Sequence, residues 1–275
     1  MSYIVRFLDS FGWPDLKAIT MDDVNKYLSK LSMNKDGSKK SGTTLMVHYS
    51  GLNLFFEYAK ATHLIDSNPL EDVARPKPKR YDKVKRTYLK PDEINKCFEV
   101  INREREDYRL RDKAIFVILF AAGIRATCLT EINVGDVNFE TSSIHVTDKR
   151  DKDRDCFFSS DKMAVIREWF DYRNKAWEGK PHSEALFLSR TGNRLNDNDL
   201  NYITKKITSQ IGHPVSPHKG RYSFGTNAIN AGVAIDQVSK MLGHDNIETT
   251  IHCYIQDQDE KIKDTTMRAT SYMVV

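Results

Sequence analysis

Apolar residues recur every three or four positions along most of the chain, a spacing typical of amphipathic helices. Thr20 and the acidic residues that follow it have the composition of a helix start. The apolar face of this helix is predicted to contain Val24, Tyr27, Leu28 and Leu31. A second helix is predicted from about Thr43, with an apolar face that includes Val47, Leu54, Phe55 and Tyr58.

The hydrophobic period changes from helical to alternating between about residues 133 and 159. Ile144 and Val146 alternate with polar residues, a charged segment follows from Asp148 to Asp155, and apolar residues then resume. This pattern is typical of a β-hairpin with a charged turn. Because both flanking regions have helical spacing, the sequence predicts a mainly α protein with a small antiparallel β-sheet, an α+β fold class.

Helix boundaries are also marked in the second half of the chain. Pro91 and the acids after it suit a helix start, and Ser216 with Pro217 suits an N-cap and first helical residue. The segment from Arg111 to Gly123 reads as a buried helix, and helical spacing resumes from Asp161. Ala231 to Tyr254 is predicted to form two helices separated by a glycine.

A strongly basic strip separates the two helical regions. Arg75 to Lys90 contains eight basic residues and one acid, Asp82, and its prolines at 76 and 78 prevent a continuous helix. Such a strip attracts the phosphates of nucleic acid. A solvated, flexible linker has the same composition and remains an alternative. The candidate DNA-binding residues in the strip are Lys77, Lys79, Arg80, Lys83, Lys85 and Arg86.

The composition is that of an ordinary globular protein, with a net charge of only +4. The longest apolar run, Ala114 to Ile124, is about half of the roughly 20 residues that a membrane span requires. The N-terminus lacks the pattern of a secretion signal. The four cysteines stand far apart without a C-x-x-C pair, which argues against structural zinc and a disulfide framework. We therefore expect a cytoplasmic protein without a membrane partner.

Six residues have the chemistry expected for cleavage of a phosphodiester: Arg125, Lys149, His218, Arg221, His244 and Tyr254. Guanidiniums, a lysine and imidazoles suit the binding of a phosphate. A tyrosine with a base and cations nearby can act as a nucleophile. The sequence shows no metal-ligand cluster beside them. The set therefore predicts DNA strand cleavage through a covalent phosphotyrosine.

Single members of this set also have ordinary structural interpretations. Arg125 fits a cap at a helix C-terminus, and His244 fits a hydrogen-bonded core histidine. Lys149 fits a solvated hairpin tip, where Lys152 is almost as good a catalytic candidate. Tyr254 fits a core tyrosine of an amphipathic helix. The functional interpretation therefore depends on the order and spacing of the whole set.

The blocks around these residues resemble motifs of the tyrosine recombinase (phage integrase) family, which includes the Xer-type recombinases. Ala122 to Arg125 is similar to the family's T-G-[LI]-R, and Val146 to Arg154 is similar to its hairpin pattern V-x-G-K-G-x-K-x-R. Ser216 to Phe224 resembles [ST]-P-H-x-L-R-H-[ST]-F, and Met241 to Thr250 resembles L-L-G-H-x-x-I-x-T-T. The resemblance covers about residues 89 to 256.

The resemblance implies a mechanism for the six residues. Tyr254 would attack the scissile phosphate and form a 3′-phosphotyrosine with a free 5′-hydroxyl. Both arginines would stabilise the pentacoordinate phosphate, and His244 would donate a further hydrogen bond to it. Lys149 would protonate the leaving oxygen, and His218 would exchange a proton with the tyrosine. Because the covalent link retains the bond energy, neither a metal nor ATP nor another cofactor is expected.

Three departures from the family pattern bear on the alternative function. Cys128 stands where the family usually has a glutamate, and Gly220 replaces a leucine. One extra residue lies between Thr250 and Tyr254 compared with many members, which turns the tyrosine by about 100° on a helix. A catalytically impaired DNA-binding protein on the same scaffold is therefore the alternative function. Poorer candidates for the nucleophile are Tyr222, Tyr202 and Tyr272.

The resemblance also implies a division of the chain into four regions. Residues 1–75 would form a helical core-binding domain that contacts DNA, 76–88 a basic linker and 89–256 the catalytic domain. Residues 257–275 would form a tail that docks onto a neighbouring protomer or frays. The expected partners are double-stranded DNA and further copies of the chain, four protomers on two DNA sites. Both mobile-element integration or excision and Xer-like dimer resolution fit this expectation.

Overall fold

The computed structural model describes residues 3–34, 36–77, 87–148, 152–244 and 246–254. The chain divides into two units, Met1–Val84 and Lys85–Val275, and each unit has its own hydrophobic core. The expected C-terminal tail and most of the basic strip lie outside the described residues. No helix within the described ranges is long and apolar enough to cross a membrane.

The described part of the N-terminal unit contains the helices α1 (Tyr3–Ser10), α2 (Met21–Leu31) and α3 (Gly42–Ala61). Helix α2 begins where the sequence predicted. The Thr20 hydroxyl accepts the Asp23 backbone N–H at 3.3 Å, and the Asp23 carboxylate accepts the Thr20 backbone N–H at 3.0 Å. Buried side chains from all three helices form the core, among them Phe7, Val24, Leu52 and Phe56.

The apolar face predicted for α3 is wrong. Val47, Leu54 and Tyr58 are 43%, 74% and 65% exposed, and only Phe55 of the predicted set packs against the core. Apolar residues occur on several sides of α3, so their spacing did not select the face that is buried. The residues that α3 buries are His48, Leu52, Phe56 and Ala59.

The C-terminal unit is built around α5 (Glu106–Ala121), which follows α4 (Pro91–Asn102). Nearly every residue of α5 from Arg111 to Phe120 is buried, which confirms the buried helix predicted there. The elements that follow are α6 (Ala126–Glu131), β1 (Val137–Asn138), β2 (Ser143–Asp148), β3 (Lys152–Phe157), α7 (Ser160–Trp177), α8 (Asp197–Ile211), α9 (Pro217–Asn230), α10 (Ile235–Leu242) and α11 (Ile247–Tyr254).

The three strands form one antiparallel sheet in the order β1-β2-β3. Alternate residues of β2 are buried, namely Ile144, Val146 and Asp148. Cys156 and Arg154 of β3 lie opposite Ile144 and Val146. The predicted hairpin is therefore confirmed, and so is the fold class of a mainly α protein with a small antiparallel sheet.

Two helix ends that were predicted from sequence lie beside candidate site residues. The Ser216 hydroxyl accepts the backbone N–H of Lys219 at 3.1 Å, and Pro217 is the first residue of α9. Helix α10 ends at Gly243, whose φ of +65° lies in the left-handed region that favours glycine. This glycine turns the chain directly before His244.

Candidate active site

Arg125 is held by the turn between α5 and α6. Gly123 in this turn has a φ of +60°, and a Cβ atom there would lie 2.6 Å from Phe224 and 2.9 Å from Leu242. Arg125 is the N-cap residue of α6, and its side chain is 31% exposed. Its Nη1 donates a hydrogen bond to the Asp148 carboxylate. The guanidinium therefore pairs with a strand residue and does not act as the helix C-cap that sequence also allowed.

Arg221 is buried on α9 and only 8% exposed. Its Nη1 donates to the Gly123 carbonyl at 2.8 Å, and its Nη2 donates to the Leu242 carbonyl at 2.6 Å. These bonds connect the turn that carries Arg125 with the end of α10. Arg221 thus holds two chain segments of the site together.

His244 follows the turn at Gly243 and is partly buried. Its Nδ1 lies 2.7 Å from the Thr250 hydroxyl of α11, and its backbone N–H donates to the Ser239 carbonyl. Burial, followed by the positive charges of Arg221 and Arg125, lowers the pKa of His244 to about 4. The imidazole is therefore neutral at pH 7.

Asp148 and Arg154 belong to the same cluster, and sequence analysis gave neither residue a role. Arg154 Nε donates to Asp148 Oδ2 at 3.2 Å, and Arg154 Nη1 donates to the Met241 carbonyl at 2.5 Å. The signal was present in the sequence, because the alternation of Ile144 and Val146 continues to Asp148 and predicts an inward-facing carboxylate. The charged character of the segment instead suggested a solvated turn.

Cys128, one of the departures from the family pattern, has a defined contact. Its Sγ donates to Asp148 Oδ1 at 3.1 Å. Burial, together with the hydrogen bond and charge of Asp148, raises the pKa of the Cys128 thiol to about 11. The thiol therefore stays protonated and serves as a hydrogen-bond donor to the carboxylate that Arg125 also contacts.

The remaining catalytic candidates are placed only in part. His218 lies in the first turn of α9 and is exposed. Lys149 lies outside the described residues, and Tyr254 is the last residue of α11 with its side chain not described. Helical register places Tyr254 on the face of Ile247 and Ile251, each 40% exposed.

The predicted DNA-binding strip lies mostly outside the described residues. Lys77 is exposed at the end of the described N-terminal segment. The other candidates, which lie outside the described residues, are Lys79, Arg80, Lys83, Lys85 and Arg86. Among the described residues, no group of three or more His, Cys, Asp or Glu side chains is arranged to hold a metal ion.

A family model described as the phage integrase family matches residues 87–261, which is more than half of the chain. The chain belongs to the phage integrase family. The match includes all six catalytic candidates and the whole cluster around Asp148. It confirms the resemblance to the tyrosine recombinases that the motifs indicated.

Curated relatives of this family member match most of its length. Tyrosine recombinase XerC of Leptospira interrogans is 26% identical over 261 residues, covering 93% of this chain and 80% of the relative. Tyrosine recombinase XerC of Roseiflexus castenholzii is 30% identical over 243 residues, covering 87% of this chain and 74% of the relative. The protein is therefore a tyrosine recombinase, a family of enzymes that break and rejoin DNA strands in site-specific recombination.

Solved structures with the same fold include recombinases bound to DNA. The Tn1549 transposon integrase with a circular intermediate DNA has a TM-score of 0.72 and 18% identity, covering 96% of this chain and 92% of that chain. The XerH site-specific recombinase in a post-cleavage complex with palindromic difH has a TM-score of 0.75 and 19% identity, covering 96% of this chain and 77% of that chain. At these identities the likeness shows the shared fold.

Proposed function

We propose that this recombinase cleaves and rejoins duplex DNA through a 3′-phosphotyrosyl intermediate formed on Tyr254. Tyr254 Oη attacks the scissile phosphorus, and the bond from phosphorus to the 5′-oxygen breaks. The leaving 5′-oxygen takes a proton and becomes a hydroxyl. The reverse attack by a 5′-hydroxyl releases the tyrosine and reseals a strand, so the phosphoester energy is retained and no metal or ATP takes part.

One observation carries this proposal: both predicted arginines and His244 form a single cluster. Arg221 contacts the carbonyl of Gly123, two residues before Arg125. Arg221 also donates to the carbonyl of Leu242, two residues before His244. Three elements distant in sequence thus place two cations and a neutral donor together, as stabilisation of a phosphorane requires.

The arginines and His244 would act on the phosphate in different ways. Arg125 is partly exposed and would donate to the non-bridging oxygens, whereas the more buried Arg221 adds positive charge and holds the site's backbone. His244, neutral before DNA binds, would add one hydrogen bond to the phosphate. A bound phosphate would also favour protonation of the imidazole, because an anion nearby raises the pKa of a histidine.

Proton transfer is assigned to Lys149 and His218. Lys149, which follows β2 in the sequence, would protonate the leaving 5′-oxygen, with Lys152 as its nearest alternative in sequence. His218 is exposed in the first turn of α9 and would accept the proton of Tyr254. An exposed imidazole keeps access to solvent and to a bound DNA strand, as this exchange requires.

The partners of the reaction are DNA and other protomers. The N-terminal unit would form the core-binding domain, and the basic strip would contact DNA phosphates. Recombination between two sites requires two cleaved duplexes, and we infer a synapse of four protomers. Residues 257–275 would join neighbouring protomers in that synapse.

The covalent step is tested with Tyr254→Phe on a nicked DNA substrate that traps the cleaved complex. The wild-type protein should form an adduct that survives denaturing electrophoresis, and Tyr254→Phe should form none while its DNA affinity stays within about twofold. The phenylalanine lacks the attacking oxygen but keeps the ring. Retention of the adduct in Tyr254→Phe would move the nucleophile to another residue.

Tyr202→Phe is the matched control, because this substitution also removes a tyrosine hydroxyl and Tyr202 is 73% exposed on α8. It should form the adduct at the wild-type rate. If the wild-type protein binds DNA but forms no adduct, the result would favour the alternative function, a catalytically impaired DNA-binding protein.

A further inference from the structure

The most buried charge of the active-site cluster is a carboxylate at the end of β2. Asp148 is 5% exposed. Its Oδ1 accepts hydrogen bonds from Arg125 Nη1 and, at 3.1 Å, from Cys128 Sγ. Its Oδ2 accepts a hydrogen bond from Arg154 Nε at 3.2 Å. Both oxygens are therefore engaged by donors from α6 with its N-cap residue and from β3.

This carboxylate stays ionised despite its burial. Burial alone would raise the pKa of Asp148, but the Cys128 thiol and the Arg125 and Arg154 guanidiniums outweigh it and lower the pKa below its ordinary value. A buried carboxylate that is paired and hydrogen-bonded in this way fixes the orientation of the groups that contact it. Arg125 is the only one of those groups that also carries a predicted role in catalysis.

The contacts of Asp148 extend to the chain segment that carries His244. Arg154, bound to Asp148 Oδ2, also donates to the Met241 carbonyl at the end of α10. A Cβ atom on Gly243 would lie 3.0 Å from Asp148 Oδ2 and 3.1 Å from Arg154 Nε. The turn before His244 therefore packs directly against the Asp148–Arg154 pair. A side chain at position 243 would press against this pair.

We propose that Asp148 is the positioning residue of this recombinase, the carboxylate that holds the Arg125 guanidinium in place for the scissile phosphate. This inference depends on the proposed role of Arg125 in binding that phosphate. Asp148 itself touches no reacting atom. It acts by restricting a guanidinium that is 31% exposed and would otherwise adopt several rotamers.

Two substitutions relative to the family pattern fit this role when taken together. The pattern has a glycine at the position of Asp148 and usually a glutamate at the position of Cys128. In this chain the acid lies on the strand and a neutral donor lies on α6, with 3.1 Å between the two side chains. A glutamate at 128 beside Asp148 would bring two carboxylates together, so each substitution fits the other.

The test compares Asp148→Asn, Asp148→Gly and the double variant Cys128→Glu with Asp148→Gly. Single-turnover cleavage of the nicked substrate and DNA affinity are measured for each. Asp148→Asn should slow cleavage on the order of 100-fold, because a misplaced guanidinium loses contact with the transition state, and should change affinity less than threefold. The double variant should cleave at least tenfold faster than Asp148→Gly.

Asp155→Asn is the matched control, since Asp155 is adjacent to Arg154 on β3 and its side chain is 53% exposed. It should cleave at the wild-type rate. Arg125→Ala separates the two proposals. If Arg125→Ala leaves cleavage unchanged, the proposed function of Arg125 fails. If Arg125→Ala loses cleavage but the Asp148 variants cleave at the wild-type rate, only the role of Asp148 is overturned.

Three further results would overturn the positioning role. Faster cleavage by Asp148→Asn would mean that the carboxylate competes with the phosphate for Arg125. If the double variant cleaves as slowly as Asp148→Gly, a carboxylate at position 128 does not replace the carboxylate at position 148. A melting temperature that falls in Asp148→Asn, with normal cleavage in the remaining folded protein, would assign Asp148 a structural role.

Discussion

His244 couples the chemistry of the site to pH at the scale of a single residue. The imidazole is partly buried among three guanidiniums, with Asp148 as the opposing charge. Its ordinary pKa is about 6.5, and in the folded protein it is about 4. Between these values the unfolded chain binds a proton at this residue that the folded chain does not bind. The free energy of unfolding therefore falls as pH decreases from about 6.5 to about 4.

We expect His244→Asn to flatten this dependence. Between pH 6.5 and pH 4, the free energy of unfolding of the wild-type protein should fall by up to about 3 kcal/mol more than that of the variant. Urea denaturation measures both values. Asp112, whose pKa burial raises to about 6, titrates in the same window in both proteins and cancels in the difference. Parallel pH curves for the two proteins would contradict the low pKa of His244.

The sequence identified the arginines and His244 but not the carboxylate between them. Arg125, Arg221 and His244 were selected as candidates because each lies in a block that resembles a family motif, and the structure places them near one another. Asp148 departs from the family pattern, so the motif comparison gave it no role. Strand alternation alone places it inward, and this period was stronger evidence than the charged composition of the segment.

At the scale of elements, the helices of the C-terminal unit are joined by buried charges as well as by apolar contacts. Lys206 of α8 lies 2.6 Å from the carboxylate of Glu104, whose side chain is only 7% exposed. Asp112 of α5, itself 1% exposed, adds a second buried carboxyl to this cluster. Asp112 is paired with Arg111 at 2.8 Å, so Lys206 is the cation that pairs with Glu104 in this cluster.

Lys206→Met should lower the free energy of unfolding by about 2 kcal/mol at pH 8, since it leaves the Glu104 carboxylate buried without its cation. The loss should be smaller at pH 5, because burial raises the pKa of the neighbouring Asp112 carboxyl to about 6 and that group is then protonated. Lys205→Met, at an exposed neighbouring position on α8, should stay within about 0.5 kcal/mol of wild type. Equal stability of the two variants in urea denaturation would rule out the buried pair as a stabilising contact.

Element boundaries were predicted well where a cap was present and less well where only apolar spacing was available. Thr20, Pro91 and Ser216 each mark a helix start that the structure confirms. In α3 the predicted face is wrong, because the helix combines exposed Leu54 and Tyr58 with a buried histidine. Local capping chemistry is encoded within a few residues, whereas the choice of buried face depends on what the helix packs against.

At the scale of the whole molecule, two units with separate cores are connected by a basic segment. The sequence predicted the two regions and the segment from proline positions and charge, and a division at Val84 and Lys85 is observed. Binding of the segment to phosphate is a contact with DNA, and the packing of the protein chain does not determine it. The strip therefore stays a prediction that a binding measurement must test.

Neutralising four residues of the strip, Lys77, Lys79, Arg80 and Lys83, should weaken DNA binding and reduce its salt dependence. Four phosphate contacts correspond to a decrease of about 3 to 4 in the slope of log affinity against log salt concentration. The slope is measured by titrating DNA at several salt concentrations. An unchanged slope would return the strip to the role of a solvated linker.

A control separates local contacts from net charge. Four exposed basic residues elsewhere on the C-terminal unit, Lys175, Lys180, Arg190 and Lys205, are neutralised together. This variant has the same net charge as the strip variant and should retain a steeper salt dependence. The same slope in both variants would mean that total charge, and not the strip, determines the affinity.

The covalent link between DNA and Tyr254 is the central claim, and peptide mapping of the trapped adduct tests it most directly. Trypsin should release Met241–Lys261, a peptide in which Tyr254 is the only tyrosine. After nuclease digestion, mass spectrometry should find this peptide with a nucleotide attached to Tyr254. A nucleotide on a peptide that contains Tyr202, Tyr222 or Tyr272, with Met241–Lys261 unmodified, would contradict the mechanism.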